Sequence, residues 1–101
     1  MGKWRSIWLA ELRCTNQVKA KILIKHGITF KYIKQEFVAT TGLRSKEDFH
    51  PYFGLRSIVY NPLHKISRVV LIIDLLDKNI DLWNLLTAFH SSNSKLIGSL
   101  S

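Results

Sequence analysis

The sequence predicts an α+β domain in which two N-terminal helices pack on an antiparallel sheet of three to four strands. A chain of 101 residues is long enough to bury one hydrophobic core, so we expect residues 1–101 to form a single domain. Apolar residues recur at helical spacing before Gly42, and the period becomes extended after the charged segment that follows this glycine. Helices that precede a run of strands are typical of a helical layer on one face of a sheet.

The first helix is the best-defined element of the N-terminal half. Ser6 to Arg13 precedes it and is assigned to an opening strand, although its apolar spacing also suits a helical turn. Thr15 or Asn16 can act as the N-cap of helix one, and Gly27 can adopt the left-handed conformation that ends it.

The second helix runs from about Phe30 to Val38. Thr29 is its N-cap, and Ile33 and Phe37 lie four residues apart on the face that we expect to meet the core. The charged segment that follows, from Leu43 to Pro51, is predicted to be a loop.

Three strands follow this loop. They cover Phe53 to Tyr60, Arg68 to Leu75 and Ile80 to Phe89, with turns at Asn61-Pro62 and Asp77-Lys78-Asn79. The serine-rich tail from about residue 91 is expected to be frayed. The residues expected in the core are Ile22, Ile33, Phe37, Val70, Ile72 and Leu85.

Charge and cysteine content narrow the range of functions. Fifteen lysines and arginines against seven acids give a formal charge of +8 and a pI near 9.9, which favours a nucleic acid or another polyanion as partner. The lone Cys14 and the absence of zinc-ligand spacing predict neither an internal disulfide nor a structural metal, and we expect no cofactor. The longest apolar run is too short to span a bilayer, so we expect a cytoplasmic protein with no membrane contact.

The corner between the two helices places a histidine at a helix end. In Lys25-His26-Gly27-Ile28-Thr29 the imidazole of His26 could transfer protons near neutral pH. The alternative is structural, because a charged histidine at a helix C-terminus is stabilised by the helix dipole.

The helix corner and the last strand resemble a known group of proteins. Lys25-His26-Gly27-Ile28-Thr29-Phe30, followed by a short helix and three strands, resembles BrnT-type toxins of the RelE-like ribonuclease superfamily. Trp83-x-x-x-Thr87-Ala88-Phe89 is similar to the last-strand motif of the wider barnase, EndoU, colicin and RelE group. BrnT-like toxins usually have arginines after that alanine, whereas this chain has Phe89-His90-Ser91.

The resemblance covers most of residues 16–89 and implies a function. Members of the group cleave RNA without a metal, often as the toxin of a toxin–antitoxin pair. The partners implied here are therefore RNA and an acidic antitoxin protein that forms a hetero-oligomer with the chain.

Metal-free RNA cleavage requires a base, an acid and groups that stabilise the phosphorane. The candidates are His26 as base or acid, Arg56 and Arg68 as phosphate ligands, and Thr87 as a hydrogen-bond donor. Further proton-transfer candidates are His50, His64 and His90, and the RNA-binding candidates are Lys25, Lys31 and Lys65.

Structural roles remain open for several of these residues. The arginines also suit a solvated strand edge, and Tyr52, Tyr60 and Trp83 could stack on bases or belong to the core. The alternative to an enzyme is a non-catalytic basic module that binds nucleic acid or another protein.

Overall fold

A computed structural model describes residues 3–52, 54–64 and 68–91 of the chain. These residues form two short α-helices and six β-strands. In chain order the elements are β1 (Arg5–Ser6), β2 (Glu11–Arg13), α1 (Asn16–His26), α2 (Phe30–Phe37), β3 (Arg44–His50), β4 (Gly54–Tyr60), β5 (Arg68–Asp77) and β6 (Leu82–Ser91).

The six strands form one curled, half-barrel sheet in the order β1-β3-β4-β5-β6-β2. Neighbouring strands are antiparallel except for β2 and β6, which pair in parallel from Glu11↔Leu82 to Arg13↔Asn84. The prediction of two helices on a three- to four-stranded antiparallel sheet is therefore wrong, and so is the RelE-like arrangement that the resemblance implied.

The N-terminal segment accounts for one of the two extra strands. The single opening strand predicted over residues 6–13 is split into β1 and β2, which lie at opposite edges of the sheet. The chain between them crosses over the core, where Leu9 is fully buried and its carbonyl accepts a hydrogen bond from the Ala39 N–H at 2.8 Å. The apolar spacing of this segment thus reflects a buried crossing and not a continuous strand.

The other extra strand is β3, which occupies the predicted loop. It pairs with β4 along its whole length, from Arg44↔Tyr60 to His50↔Gly54. Its charged residues have partners on neighbouring strands, since Asp48 binds Arg56 and Glu47 binds Arg5. A strand whose charges are paired across the sheet does not show the apolar alternation that sequence analysis relies on.

Both predicted helices are confirmed together with their caps. The Thr15 hydroxyl accepts a hydrogen bond from the Val18 N–H at 3.2 Å, and Gly27 ends α1 in the left-handed conformation with φ at 66°. The Thr29 hydroxyl accepts one from the Tyr32 N–H at 3.1 Å and so fixes the first turn of α2.

The core lies between the helices and one face of the sheet. All six residues predicted to be in the core are buried, with relative exposures between 0% and 6%. Ile22, Ile33 and Phe37 from the helices pack with Leu71 and Leu85 from the sheet on the helix-facing side. A smaller cluster on the opposite face consists of Trp4, Ile58, Tyr60, Val70 and Phe89.

Two other predictions concern the chain as a whole. Apart from Ser91, which ends β6, the predicted frayed tail lies outside the described residues. Within residues 3–52, 54–64 and 68–91, no helix is long and apolar enough to cross a membrane.

Candidate active site

One side of α2 presents a phenol and a carboxylate next to each other. Residues four apart in a helix lie on the same side, so burial of Ile33 and Phe37 places Tyr32 and Glu36 on the adjacent side, at the margin of the core. Tyr32 is 39% exposed and the side chain of Glu36 is also 39% exposed. Both groups are therefore accessible from solvent.

The turn after β4 carries an imidazole to this side of α2. His64 Nε2 lies 2.8 Å from Glu36 Oε1, and the side chain of His64 is only 14% exposed. The ring also packs edge-on against Phe37, with ring centroids 5.9 Å apart. The contact between imidazole and carboxylate is thus held partly out of water.

Asn61 fixes the position of His64. Its side-chain amide donates to the Glu36 carbonyl at 3.2 Å, and its side-chain oxygen accepts from the Leu63 N–H at 3.0 Å. Its own carbonyl accepts from the His64 N–H at 3.0 Å. Because Asn61 is 4% exposed, these bonds satisfy a buried polar side chain and tie the turn to the end of α2.

The second ring nitrogen of His64 lacks a partner. His64 Nδ1 is buried and makes no hydrogen bond to the part of the chain that the structure describes. A buried nitrogen without a partner costs free energy, so the position of His64 over Glu36 is maintained at the expense of stability. Buried polar groups without a hydrogen-bond partner often belong to functional sites.

Tyr32 connects this pair to a cavity. Its ring centroid lies 6.3 Å from that of His64. Burial and, second, the negative charge of Glu36 raise the pKa of the Tyr32 phenol above its ordinary value, so the phenol remains a proton donor. Tyr32 also lines a cavity of about 270 Å³, together with Gly27, Ile28, Thr29 and His90.

Arg68 is linked to the same turn through the backbone. Its Nε donates to the His64 carbonyl at 2.7 Å, and its guanidinium carbon lies 4.7 Å from the centre of the Tyr60 ring. Arg68, a predicted phosphate ligand, thus adjoins the turn that carries His64.

A lysine cluster lies on the neighbouring side of α2. Lys19 Nζ and Lys34 Nζ lie 5.0 and 5.8 Å from the centre of the Phe30 ring. Together with Lys31 and Gln35 these residues line an open depression of about 520 Å³. We call Lys19, Lys31 and Lys34 the lysine cluster; it adds positive charge beside Tyr32 and Glu36.

The other predicted catalytic residues lie elsewhere. Arg56 and Thr87 lie on the sheet face opposite the helices, where Arg56 donates from Nε and Nη2 to Asp48 Oδ2 at 3.2 and 3.1 Å. His26 is exposed at the end of α1. The structure therefore does not bring His26 together with Arg56, Arg68 and Thr87.

The predicted RNA-binding lysines are also dispersed. Lys31 lines the depression around Phe30, whereas Lys25 is exposed near the end of α1. Lys65 lies outside the described residues.

Sequence reasoning did not identify Tyr32 and Glu36 and kept His64 only as a further candidate. The spacing of four residues between Tyr32 and Glu36 on a predicted helix indicates that their side chains lie on the same side of it. Their proximity to His64 cannot be predicted in this way, because it depends on a contact between residues 28 positions apart.

Neither a search for metal ligands nor a comparison with known proteins identifies the function of this site. Among the described residues, no group of three or more His, Cys, Asp or Glu side chains is arranged to hold a metal ion. Comparison of the chain with protein families, with curated proteins and with solved structures found no match.

Proposed function

We propose that the protein is a metal-independent endoribonuclease whose acid–base groups are Glu36, His64, Tyr32 and His90. The observation that carries the proposal is the 2.8 Å contact between His64 Nε2 and Glu36 Oε1 beside the Tyr32 phenol. A carboxylate held by a partly buried imidazole on a chain of charge +8 is suited to proton transfer on an anionic substrate.

The reaction would be transesterification at the RNA 2′-hydroxyl. Glu36, the more exposed member of the pair, removes the proton while the 2′-oxygen bonds to phosphorus. The bond from phosphorus to the 5′-oxygen breaks, and His90 protonates the leaving oxygen. The products are a 2′,3′-cyclic phosphate and a free 5′-hydroxyl.

The remaining groups would position and stabilise the reacting atoms. His64 orients the Glu36 carboxylate, and the Tyr32 phenol donates a hydrogen bond to the phosphorane. Lys31 and the rest of the lysine cluster bind phosphates next to the site, and Arg68 adds positive charge near the turn.

The decisive experiment measures RNA cleavage in excess chelator by wild type and Glu36→Gln. We expect the substitution to lower the rate by about 10²-fold or more, the usual contribution of a general base, with little change in melting temperature. Glu11→Gln makes the same change at an exposed position of β2, so it is the matched surface control and should keep the wild-type rate. Equal rates for Glu36→Gln and wild type would refute the assignment.

A second candidate function is RNA binding without cleavage. The two lysines over the Phe30 ring favour it, because positive charge beside an aromatic ring is suited to single-stranded nucleic acid whether or not a bond is cut. The same assay separates the two functions: a purified protein that shifts RNA in a gel but leaves it intact supports the binding module.

We further propose that the chain acts in the cytoplasm as the toxin of a toxin–antitoxin pair. The support is the resemblance of its short motifs to those of BrnT-type toxins and the charge of +8, which an acidic antitoxin would complement. Co-purification from the native host should yield a hetero-oligomer with an acidic protein that dissociates as salt is raised. Recovery of the chain alone, with high expression tolerated by the host, would contradict this pairing.

A further inference from the structure

The curled sheet encloses a second cavity, of about 290 Å³, separate from the candidate active site. Its lining comes from β1, β3, β4, β5 and β6 and from the residue after β1. Ligand sites occur preferentially in the mouths of barrels, where several strands contribute side chains to one space.

The walls of this cavity combine apolar surface with an aromatic ring. Ile7, Leu55, Leu75 and Trp83 all line it. Leu55 and Leu75 are 60% and 46% exposed although they lie on the helix-facing side of the sheet. The helices therefore leave this part of the sheet uncovered, and apolar surface is available to a ligand.

The lining also contains polar groups, one of them a buried donor without a partner. Ser45 and Ser57 line the cavity and are 6% and 9% exposed. The Trp83 indole N–H is buried and has no acceptor among the described residues. A ligand that bonded to this N–H would remove the cost of leaving it unpaired.

Charged groups complete the lining. Glu47 is paired with Arg5, and both residues line the cavity. Arg56 also borders it, but its guanidinium is bound to Asp48 on the opposite face of the sheet. A ligand can thus meet an acceptor at Glu47 and positive charge at Arg5.

We propose that this cavity binds the nucleobase of a nucleotide. A nucleobase is flat, packs against an indole ring, and carries both acceptors for the serine and indole donors and donors for Glu47. The attached phosphate would lie toward Arg5. The choice of a nucleobase over another flat ring rests on the proposed RNA substrate.

The cavity is distant from the proposed reacting groups. His90 pairs with Val69 and Trp83 pairs with Leu75, so six residues of β5 separate the two positions. At about 3.3 Å per residue this corresponds to roughly 20 Å along the strand. The base held in the cavity is therefore remote from the cleaved phosphate and sets substrate preference.

The test follows the Trp83 indole N–H in ¹H–¹⁵N correlation spectra of the full chain, with the signal assigned by its loss in Trp83→Phe. Each of the four ribonucleoside 5′-monophosphates is titrated, and ribose 5-phosphate is the probe without a base. We expect at least one nucleotide to shift this signal and ribose 5-phosphate to leave it in place. An equal shift with ribose 5-phosphate, or no shift with any nucleotide at millimolar concentration, would overturn the proposal.

Two variants test the location. Ser57→Ala removes a hydroxyl inside the cavity, and we expect nucleotide affinity to fall by about fivefold to tenfold, as for one lost hydrogen bond. Thr41→Val replaces a hydroxyl by a methyl group outside the cavity and should preserve affinity. If Ser57→Ala unfolds, nucleotide binding by Trp83→Phe is measured by calorimetry, and unchanged affinity in that variant counts against the site.

Failure of this proposal can be distinguished from failure of the proposed function. Glu36→Gln should retain nucleotide binding while losing RNA cleavage. A wild-type protein that binds nucleotide but cuts no RNA would refute only the ribonuclease activity, whereas one that cuts RNA without a Trp83 shift would refute only the cavity site.

Discussion

At the scale of single residues, the proposed chemistry depends on the protonated state of Tyr32. Burial and the Glu36 carboxylate both raise its pKa above the ordinary value of 10.0. The folded protein therefore holds this proton more tightly than the unfolded chain does. The stabilisation is fully present below pH 10.0 and is lost as pH rises through the higher folded-state pKa.

A tyrosinate absorbance titration tests this reasoning. The difference between wild type and Tyr32→Phe should give a midpoint above that of the denatured protein. In Glu36→Gln the midpoint should fall toward the ordinary value, because the nearby negative charge has been removed. A Tyr32 midpoint at or below the denatured value would show that the environment of this phenol is misassigned.

His26 is the residue for which sequence and structure point to different roles. The helix corner suggested proton transfer, but the structure leaves His26 exposed at the end of α1 and places Glu36, His64 and Tyr32 together elsewhere. We expect His26→Ala to leave the rate of RNA cleavage within about twofold of wild type and to lower the free energy of unfolding by about 0.3–1 kcal/mol, through lost interaction with the helix dipole. A loss of about 10²-fold in rate with an intact fold would return His26 to the site.

At the scale of elements, the connection between the helices determines where Tyr32 lies. The Thr29 hydroxyl accepts a hydrogen bond from the Tyr32 N–H, so the cap and the candidate donor belong to one turn. We expect Thr29→Ala to lower the free energy of unfolding by about 1 kcal/mol and to reduce the cleavage rate, because the first turn of α2 frays. Thr29→Ser keeps the hydroxyl and should restore both quantities, as judged by chemical denaturation and the chelator assay. Equal behaviour of the two variants would exclude a capping role.

The helices were predictable and the edges of the sheet were not, for a physical reason. Capping residues and the i, i+4 burial of Ile33 and Phe37 are local, so they can be read from neighbouring residues. The partner of β2 is β6, about 70 residues later in the chain, and a strand of three residues carries no periodic signal. The Glu36–His64 pair was unpredictable for the same reason, because its geometry depends on a turn that Asn61 anchors to α2.

Hydrogen exchange provides a test of β3, the strand that the sequence presented as a loop. Residues Arg44–His50 pair with β4, so their ladder amides should exchange more slowly than the amide of exposed Thr41. We expect a difference on the order of 10²-fold or more, which corresponds to a local opening free energy of about 2.7 kcal/mol. Exchange across residues 44–50 as fast as at Thr41 would favour a loop.

At the scale of the whole molecule, topology brings two dissimilar sites to one side of a single sheet. The helices cover the part of the sheet next to His90, and the curled strands leave the part next to Trp83 open. The proposed acid–base groups thus lie where helix and sheet meet, and the proposed base pocket lies where the sheet is uncovered. A single-stranded RNA that contacted both would have to extend roughly 20 Å along the sheet.

The net charge of +8 leads to a quantitative prediction about RNA binding. Each phosphate neutralised by a cation releases counterions, so the logarithm of RNA affinity should fall linearly with the logarithm of salt concentration, by about 0.7 per contact for a single strand. Lys31 belongs to the lysine cluster beside Tyr32, and Lys31→Ala should reduce this slope by about 0.7 to 1 while weakening binding to all RNA sequences alike. Lys78→Ala removes the same charge from the exposed turn between β5 and β6 and should leave the slope unchanged. The slopes are measured by anisotropy titrations at four salt concentrations. Both lysine substitutions are made in the Glu36→Gln background, which limits cleavage during the measurement. Equal slopes in the two lysine variants would mean that RNA responds to total charge and does not contact the lysine cluster.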